Sequence, residues 1–566
     1  MKVKKKEIRK SAATAPEGGP VWPYLAATCA ALFAVLHAYS PSLRGEFVFD
    51  DSYLPMNVPG VAEKPLASWI LGVRPVLMLT YWLNYQPASD STAGYHVWNV
   101  LLHFGVTVLV FLCVRRLLAL ASAPDWLAWF ASGVFLLHPV QAESVAYIAG
   151  RSESLSALFY FAAFALFLYR RKAAAGWPLS AGLLVLLALA LGSKEHTITL
   201  PALLLLTDWF WGEGGAAGRI KANWRLYGPL AAGAVAGAAF VLSRIGLKAT
   251  AGFGVTGITW YEYLFTQFRM IPLYVGKFLL PAGLSADYDV PLSRSLADHG
   301  AWAGLLFLLA ATAAAVVWRK RAPLAAYGWL VFLLLLAPTS SVVPIEDPLV
   351  DRRLYLPMIG LLLIGCDGLR RVRTGRPALA GALAVVVLLA WIATYQRSKV
   401  WAGTIPLWED TVAKSPGKVR AHFQLAHAYF VAGRCEESLR HYETAGSLEP
   451  PDYRLLVDWA LAEDCLNRTE PALARLRQAA DMERSAHVYA LIGMVTGKAG
   501  RTEEAWQALD TAVAIDPNFD VTYVYRGHLK AAAGDRAGAA QDYRKALELN
   551  PGNPLAREAL QRLGGR

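Results

Sequence analysis

Two adjacent carboxylates, Asp50 and Asp51, follow directly on the apolar stretch Phe47–Val48–Phe49. Such a pair can take the proton from a hydroxyl and orient it, or hold a divalent cation. The dipeptide alone reads equally well as a helix cap or a solvated turn. Its company gives it weight: Arg44, Glu46 and Arg74 share its long connection, residues 41–94. Further connections carry His138, Glu143, Arg151 and Glu153, then Lys194, Glu195 and His196, then Asp287 and Asp289, then Asp351, Arg352 and Arg353. Arginine offers a bidentate fork to phosphate and lysine a point charge, so Arg151, Lys194, Arg352 and Arg353 suit an anionic head group. Each taken singly also fits interfacial snorkelling. His103, inside an apolar run, reads as a helix-packing hydrogen bonder. The cysteines, at 29, 113, 366, 435 and 465, show no metal-ligand spacing. A disulfide between Cys435 and Cys465 is compatible with an oxidising compartment.

The elements that must position these groups are membrane helices. The chain has 566 residues, 55% hydrophobic and only 17% charged, with a mean hydropathy of +0.34; soluble domains carry roughly a quarter charged residues. Apolar runs long enough to span, or nearly so, cover 22–40, 97–118, 126–138, 154–169, 178–193, 196–211, 226–243, 301–318, 324–338, 355–369 and 377–395, about eleven in all. Basic clusters at Arg115–Arg116, Arg170–Lys172, Arg219–Arg225, Arg319–Arg321 and Arg370–Arg376 fall at every second connection. With the basic tail 1–21 they place the N-terminus inside and the carboxylate-bearing connections outside. Tyr261–Pro281 would break this alternation if it spanned, and it holds Glu262, Gln267, Arg269 and Lys277; it reads as an amphipathic helix on the outer face. The first 414 residues carry 36 Lys and Arg against 23 Asp and Glu. The positive excess therefore belongs to the membrane half and gives no reason to expect a nucleic-acid partner.

From Ser415 the pattern changes. A turn residue recurs at Gly433, Asn467, Gly500 and Gly534, and a small residue at Ala445, Ala479, Ala512 and Ala546. A period of 33–34 residues in a helical pattern is the tetratricopeptide signature. Four repeats and a terminal capping helix follow, offering a concave surface for a peptide or protein. No catalytic constellation falls within them. The expected architecture is all-α: a polytopic helical bundle over 22–414, then a tetratricopeptide α-solenoid over 415–566.

The strings FVFDD (47–51), RPVLMLTYWLNY (74–85), GYHVWNVLLH (94–103), HPVQAESVAYIAGRSESLSALFY (138–160), SKEHTITLPALLLLTDW (193–209) and DRRLYLP (351–357) resemble those of the transmembrane and tetratricopeptide-repeat O-mannosyltransferases. That resemblance covers most of the chain. It implies a GT-C glycosyltransferase fold and an inverting transfer of a hexose, with mannose the family expectation, from a polyprenyl-phosphate donor to a Ser or Thr hydroxyl of a protein held by the repeats. By similarity to the related protein O-mannosyltransferases, whose pair is Asp-Glu, Asp50 is the base and Asp51 its partner. Glu143, Arg151, Lys194 and Glu195 lie in the matching strings; with Arg74, His138, Arg352 and Arg353 they form the expected donor-phosphate and substrate group. No metal is required by this scheme, although the two aspartates have the type to hold Mg²⁺ or Mn²⁺. Ala-richness, short loops and few repeats point to a bacterial inner membrane with the repeats in the periplasm; in a eukaryotic cell the same side is the endoplasmic reticulum lumen. The rival readings are a transferase acting on a lipid, cell-wall or polysaccharide acceptor, and a non-enzymatic scaffold or transporter. A transporter gathers ionisable groups near the middle of its spans, and here they gather at span ends.

Overall fold

A computed structural model describes residues 22–564, apart from 59, 61–63, 89–90, 171–173, 213–215, 246–254, 256 and 374. The basic tail 1–21 lies outside the described residues, as do Arg171 and Lys172 of the second basic cluster. Every regular element among those described is helical. Among the described residues four helices are long and apolar enough to cross a membrane: Thr92–Leu120, Arg151–Leu168, Asp298–Val317 and Arg376–Val400. Five shorter apolar helices accompany them, at Trp22–Ala38, Trp126–Leu137, Trp177–Leu191, Pro323–Leu336 and Met358–Leu369. Membrane insertion follows from this set. By length and composition together the described helices include four candidate crossings, where hydropathy of the sequence reads about eleven.

Exposure tells which helices meet lipid. Only 6% of the apolar window of Arg376–Val400 is buried, and Val385, Val386, Leu388, Leu389 and Ile392 all stand open. A helix so apolar and so exposed needs hydrocarbon around it. Arg151–Leu168 is the opposite case, 78% buried and central. Close packing inside the bundle uses missing side chains. A Cβ on Gly328 would come within 2.4 Å of the Gly360 carbonyl oxygen, and one on Gly360 equally near that of Gly328, so helices Pro323–Leu336 and Met358–Leu369 meet backbone to backbone. His103 does what its position suggests: its ring nitrogens meet the Tyr355 hydroxyl at 2.7 Å and the Leu136 carbonyl at 3.0 Å.

The segment expected to be amphipathic forms helix Trp260–Leu279, opened by a reciprocal cap between Thr259 and Glu262. Its polar groups reach the connections on the side of the carboxylates. Gln267 donates to the Pro348 carbonyl at 3.0 Å, Tyr274 to that of Val350 at 3.2 Å and Arg269 to that of Pro291 at 2.8 Å.

The repeats are four helix pairs: Val419–Val431 with Cys435–Leu448, Tyr453–Cys465 with Thr469–Met482, Ala486–Lys498 with Thr502–Ile515, and Asp520–Ala532 with Arg536–Leu549. Helix Pro554–Gly564 caps the last pair. At all four turn positions the backbone is left-handed, with φ of 73° at Gly433, 58° at Asn467, 76° at Gly500 and 85° at Gly534. Glycine takes this conformation without a Cβ clash and asparagine tolerates it, which explains why those two residue types recur there. Ala445, Ala479, Ala512 and Ala546 are fully buried, where a larger side chain would push the paired helices apart. Cys435 and Cys465 form a disulfide that joins the first pair to the second.

Candidate functional site

The stretch Phe47–Val48–Phe49 ends in a single tight turn, Phe49–Tyr53. Phe49 has a φ of +53°, a left-handed conformation that costs a bulky residue about 1–3 kcal/mol and persists where the surroundings over-determine it. Here they do. Its ring meets Trp408 edge-on at 5.3 Å and stacks on Tyr147 at 6.3 Å. The turn sends the two aspartates in different directions. Asp51 is fully buried; one carboxylate oxygen accepts from the Val48 amide at 3.1 Å and the other from the Ala149 amide at 2.7 Å. Burial outweighs these hydrogen bonds and pushes its carboxyl up to about 7. Asp50 is exposed, and its own amide donates to the Tyr147 hydroxyl at 2.9 Å.

Two neighbouring residues thus have separate environments. Asp51 ties the first connection to the turn at 148–149, while Asp50 presents its carboxylate to a cleft of about 1100 Å³. That cleft is bounded on one side by Glu46, Phe47 and Phe49 and on the other by Trp408, Arg420, Phe423, His427, Tyr453 and His487. Its far wall is the face of the first repeats.

The expected substrate-binding group divides in two. Arg74 forks onto Glu195, Nε to Oε1 at 2.8 Å and Nη2 to Oε2 at 2.9 Å. Lys194 pairs with Glu153, whose other oxygen stands 3.7 Å from His196 Nε2. Arg352 pairs with Glu143, and its amide also donates to Glu143 at 2.9 Å. These three cations share one field. The Lys194 amine is lowered by burial, upheld by Glu153, and lowered further by the nearby charges of Arg74 and Arg352. All three keep partial solvent access, with side chains 37%, 16% and 26% exposed in the order Arg74, Lys194, Arg352. Beside Arg74, Val73 and Pro75 form one end of an apolar slot of about 500 Å³, continued by Leu187, Leu191, Gly233 and Gly237.

The remaining expected members are placed otherwise. Arg151 is fully buried; it donates to Asn99 and Asn84 at 2.8 Å each and to the Tyr95 carbonyl at 3.1 Å, with its guanidinium 4.5 Å from the Tyr81 ring centroid. It braces three segments instead of facing the cleft. Arg353 is spent on the carbonyls of Asp347 and Pro348, at 2.7 and 3.0 Å. His138 is buried against Phe278, whose carbonyl lies 2.9 Å from its Nε2. Residues that the sequence reading did not put in the site are Tyr147, Phe49, Trp408 and Arg420. Tyr147 lay in plain view inside the string HPVQAESVAYIAG; Arg420 sits in a repeat, where nothing in the sequence marks it. Among the described residues no three His, Cys, Asp or Glu side chains converge as a cation site would require.

These features define a class: a helical membrane protein with ion pairs among its connections, whose first connection, carrying Asp50, faces a tetratricopeptide array across a cleft. In sequence the chain is similar to Protein O-mannosyl-transferase F38B6.6 of Caenorhabditis elegans, 25% identical over 437 residues that cover 73% of this chain and 61% of that protein. It is likewise similar to Protein O-mannosyl-transferase TMTC3 of Homo sapiens, 23% identical over 538 residues that cover 85% of this chain and 58% of that protein. The chain spans about six-tenths of the length of these curated relatives. No protein-family model matches it. Among solved structures, a thermophilic TPR protein of Thermus thermophilus is 21% identical and covers 33% of this chain and 99% of that one, with a TM-score of 0.27. A score so low carries no weight here; the repeat architecture rests on the helix pairs themselves.

Proposed function

We propose that the chain is a membrane glycosyltransferase that moves mannose from a polyprenyl-phosphate donor to a Ser or Thr hydroxyl of a protein, with inversion at the anomeric carbon. The relatives' name supports mannose and a protein acceptor. The single observation that carries the reading is that, of the two adjacent aspartates, Asp50 is exposed and lines the cleft while Asp51 is buried in backbone hydrogen bonds. In the step, the acceptor oxygen forms a bond to the anomeric carbon from the face opposite the phosphate. The carbon–phosphate oxygen bond breaks, the hydroxyl proton passes to Asp50, and polyprenyl phosphate leaves. Arg74, Lys194 and Arg352 hold the phosphate and stabilise the charge it gains. The slot beside Arg74 receives the isoprenoid chain, since it is apolar, bounded by glycines and begins at the two residues that flank Arg74.

Asp51, Glu143 and Arg151 then act through the fold, and Glu153, Glu195 and His196 set the charge of the phosphate clamp. Residues 22–414 perform the transfer and 415–566 hold the acceptor. The disulfide between Cys435 and Cys465 supports an extracytoplasmic location for the repeats, because such bonds persist in oxidising compartments. In a bacterial cell that side is the periplasm.

The test is transfer from radiolabelled mannosyl-phosphoryl-polyprenol to a Ser/Thr-rich peptide by the full chain. Asp50→Asn should lower the rate by about 100-fold or more, and Lys194→Ala should raise the donor KM. Full activity of Asp50→Asn removes the proposed base. Transfer that appears in lipid or polysaccharide but never in peptide removes the protein acceptor.

A further inference from the structure

The repeat array reaches into the rim through one residue. Arg420 lies in the first turn of helix Val419–Val431, and its guanidinium bridges two separate connections of the membrane half. Nε meets Asp287 at 2.6 Å and Nη2 meets Asp347 at 2.7 Å. Both partners are fixed in turn. The Asp287 side chain is buried, its carbonyl accepts from Ser415 at 2.8 Å, and Lys418 adds a second cation at 3.7 Å. The Asp347 carbonyl accepts from Arg353. Burial works against the Arg420 charge, yet the two carboxylates more than offset it and hold the guanidinium above its usual range.

The carbon of this guanidinium stands 5.8 Å from the centroid of the Phe49 ring. Two aromatic rings and one cation stand against Phe49: Tyr147 from the membrane half, Trp408 from helix Thr404–Lys414, and Arg420 from the first repeat. The ring also packs on the apolar cluster of Trp408, Ala421, Leu425 and Tyr429. Phe49 immediately precedes Asp50 and holds a φ that a bulky residue adopts only under constraint. A left-handed residue sets the direction of the next one, so whatever holds the ring also aims the carboxylate.

We propose that Arg420 is a positioning residue of the reaction centre: anchored on Asp287 and Asp347 and set against the Phe49 ring, it keeps the turn at 49–53 closed so that Asp50 points into the cleft. This rests on the reading of Asp50 as the base. The first repeat is then part of the catalytic scaffold as well as a wall for the acceptor, and the two units complete one site.

The experiment compares Arg420→Ala, Arg420→Lys and a control, Arg475→Ala, in the full-length protein. Arg475 lies over Trp459 at 3.6 Å in the second repeat, away from the turn. Misplacing a catalytic group by about 1 Å costs up to about 100-fold in rate. Arg420→Ala should therefore lower kcat by about 10- to 100-fold with the acceptor KM within about twofold, Arg420→Lys should recover part of that loss, and Arg475→Ala should leave kcat unchanged. Hydrogen exchange of the amides at 49–53 should speed up in Arg420→Ala and not in Arg475→Ala. A raised acceptor KM with unchanged kcat would make Arg420 a contact for the acceptor and overturn the proposal; so would unaltered exchange at 49–53. Activity surviving in Asp50→Asn would instead strike the functional reading, and the exchange arm would still decide whether Arg420 holds the turn.

Discussion

The repeat array and the charged rim of the membrane half solve the problem of placing side chains in opposite ways. In the array each unit is built from its own stretch of chain, and, apart from Lys418 and Arg420 where it joins the membrane half, its ion pairs are local or reach one repeat along: Lys498 with Asp464 at 2.6 Å, Lys530 with Asp542 at 2.7 Å, Arg562 with Glu558 at 2.5 Å. At the rim the partners come from far apart. Arg74 and Glu195 are 121 residues distant, Arg352 and Glu143 are 209, and the Ala149 amide and Asp51 are 98. A repeat therefore tolerates local damage, whereas loss of one rim partner leaves a charge stranded in another segment. The difference also bears on experimental design. Removing 415–566 to test the role of the acceptor would take Arg420 with it, so a loss of activity would not separate peptide binding from disruption of the Asp50 turn.

Glu143→Gln should have the largest effect. Glu143 is buried, and its removal leaves Arg352 without its anion; pairs of this kind cost about 3–5 kcal/mol when one member is lost. The expected outcome is a large fall in the midpoint of thermal unfolding of the membrane half, followed by intrinsic fluorescence in detergent, with the repeat array keeping its protease resistance. A fall no greater than that of a surface charge would show the rim to be as local as the repeats. Reduction of the Cys435–Cys465 disulfide comes next. It closes a loop of 30 residues and should be worth about 3.6 kcal/mol, read as earlier unfolding of the first two repeats in dithiothreitol, an effect that Cys435→Ser should reproduce without reductant.

Asp51 gives a smaller effect with a definite dependence on pH. An ordinary aspartate titrates near 4 and the buried Asp51 at about 7. Between those values the folded state binds a proton that the unfolded state lacks, so the stabilisation is full below about 4 and is lost as pH rises through about 7. Asp51→Asn should remove that slope from hydrogen exchange at 49–53. It should also cost about 1–3 kcal/mol, because an amide nitrogen would then face a backbone donor that had an acceptor. At the bottom of the scale, Arg562→Ala should shift stability by no more than about 0.5 kcal/mol, since Arg562 and Glu558 are both exposed.

Much of this was legible in the residues. The spacing of Gly433, Asn467, Gly500 and Gly534 announced four identical turns, because only a residue that tolerates a left-handed backbone recurs at such places. The apolar runs fell close to the helices observed, since burying backbone polar groups in hydrocarbon leaves helix as the available form. Site residues were harder. Arg74, Lys194, Arg352 and Arg151 all looked alike as cations near span ends. Yet the first three keep partial solvent access while Arg151 is sealed among Asn99, Asn84 and the Tyr95 carbonyl. Whether a guanidinium faces a ligand or a neighbouring amide depends on what other segments bring to it.

By itself, then, the sequence determined everything that repeats within one helical turn or one 34-residue period: the helices, their apolar faces, the glycine and asparagine turns, and the grouping of ionisable residues into a few connections. Only the tertiary structure decided which of two adjacent aspartates faces the cleft, which cations stand together, and that Arg420 of a repeat meets Phe49 of the first connection. The physical reason is range. Periodicity and propensity act between residues close along the chain, while hydrogen bonds and ion pairs across 100 or 200 residues exist only once the intervening helices have packed.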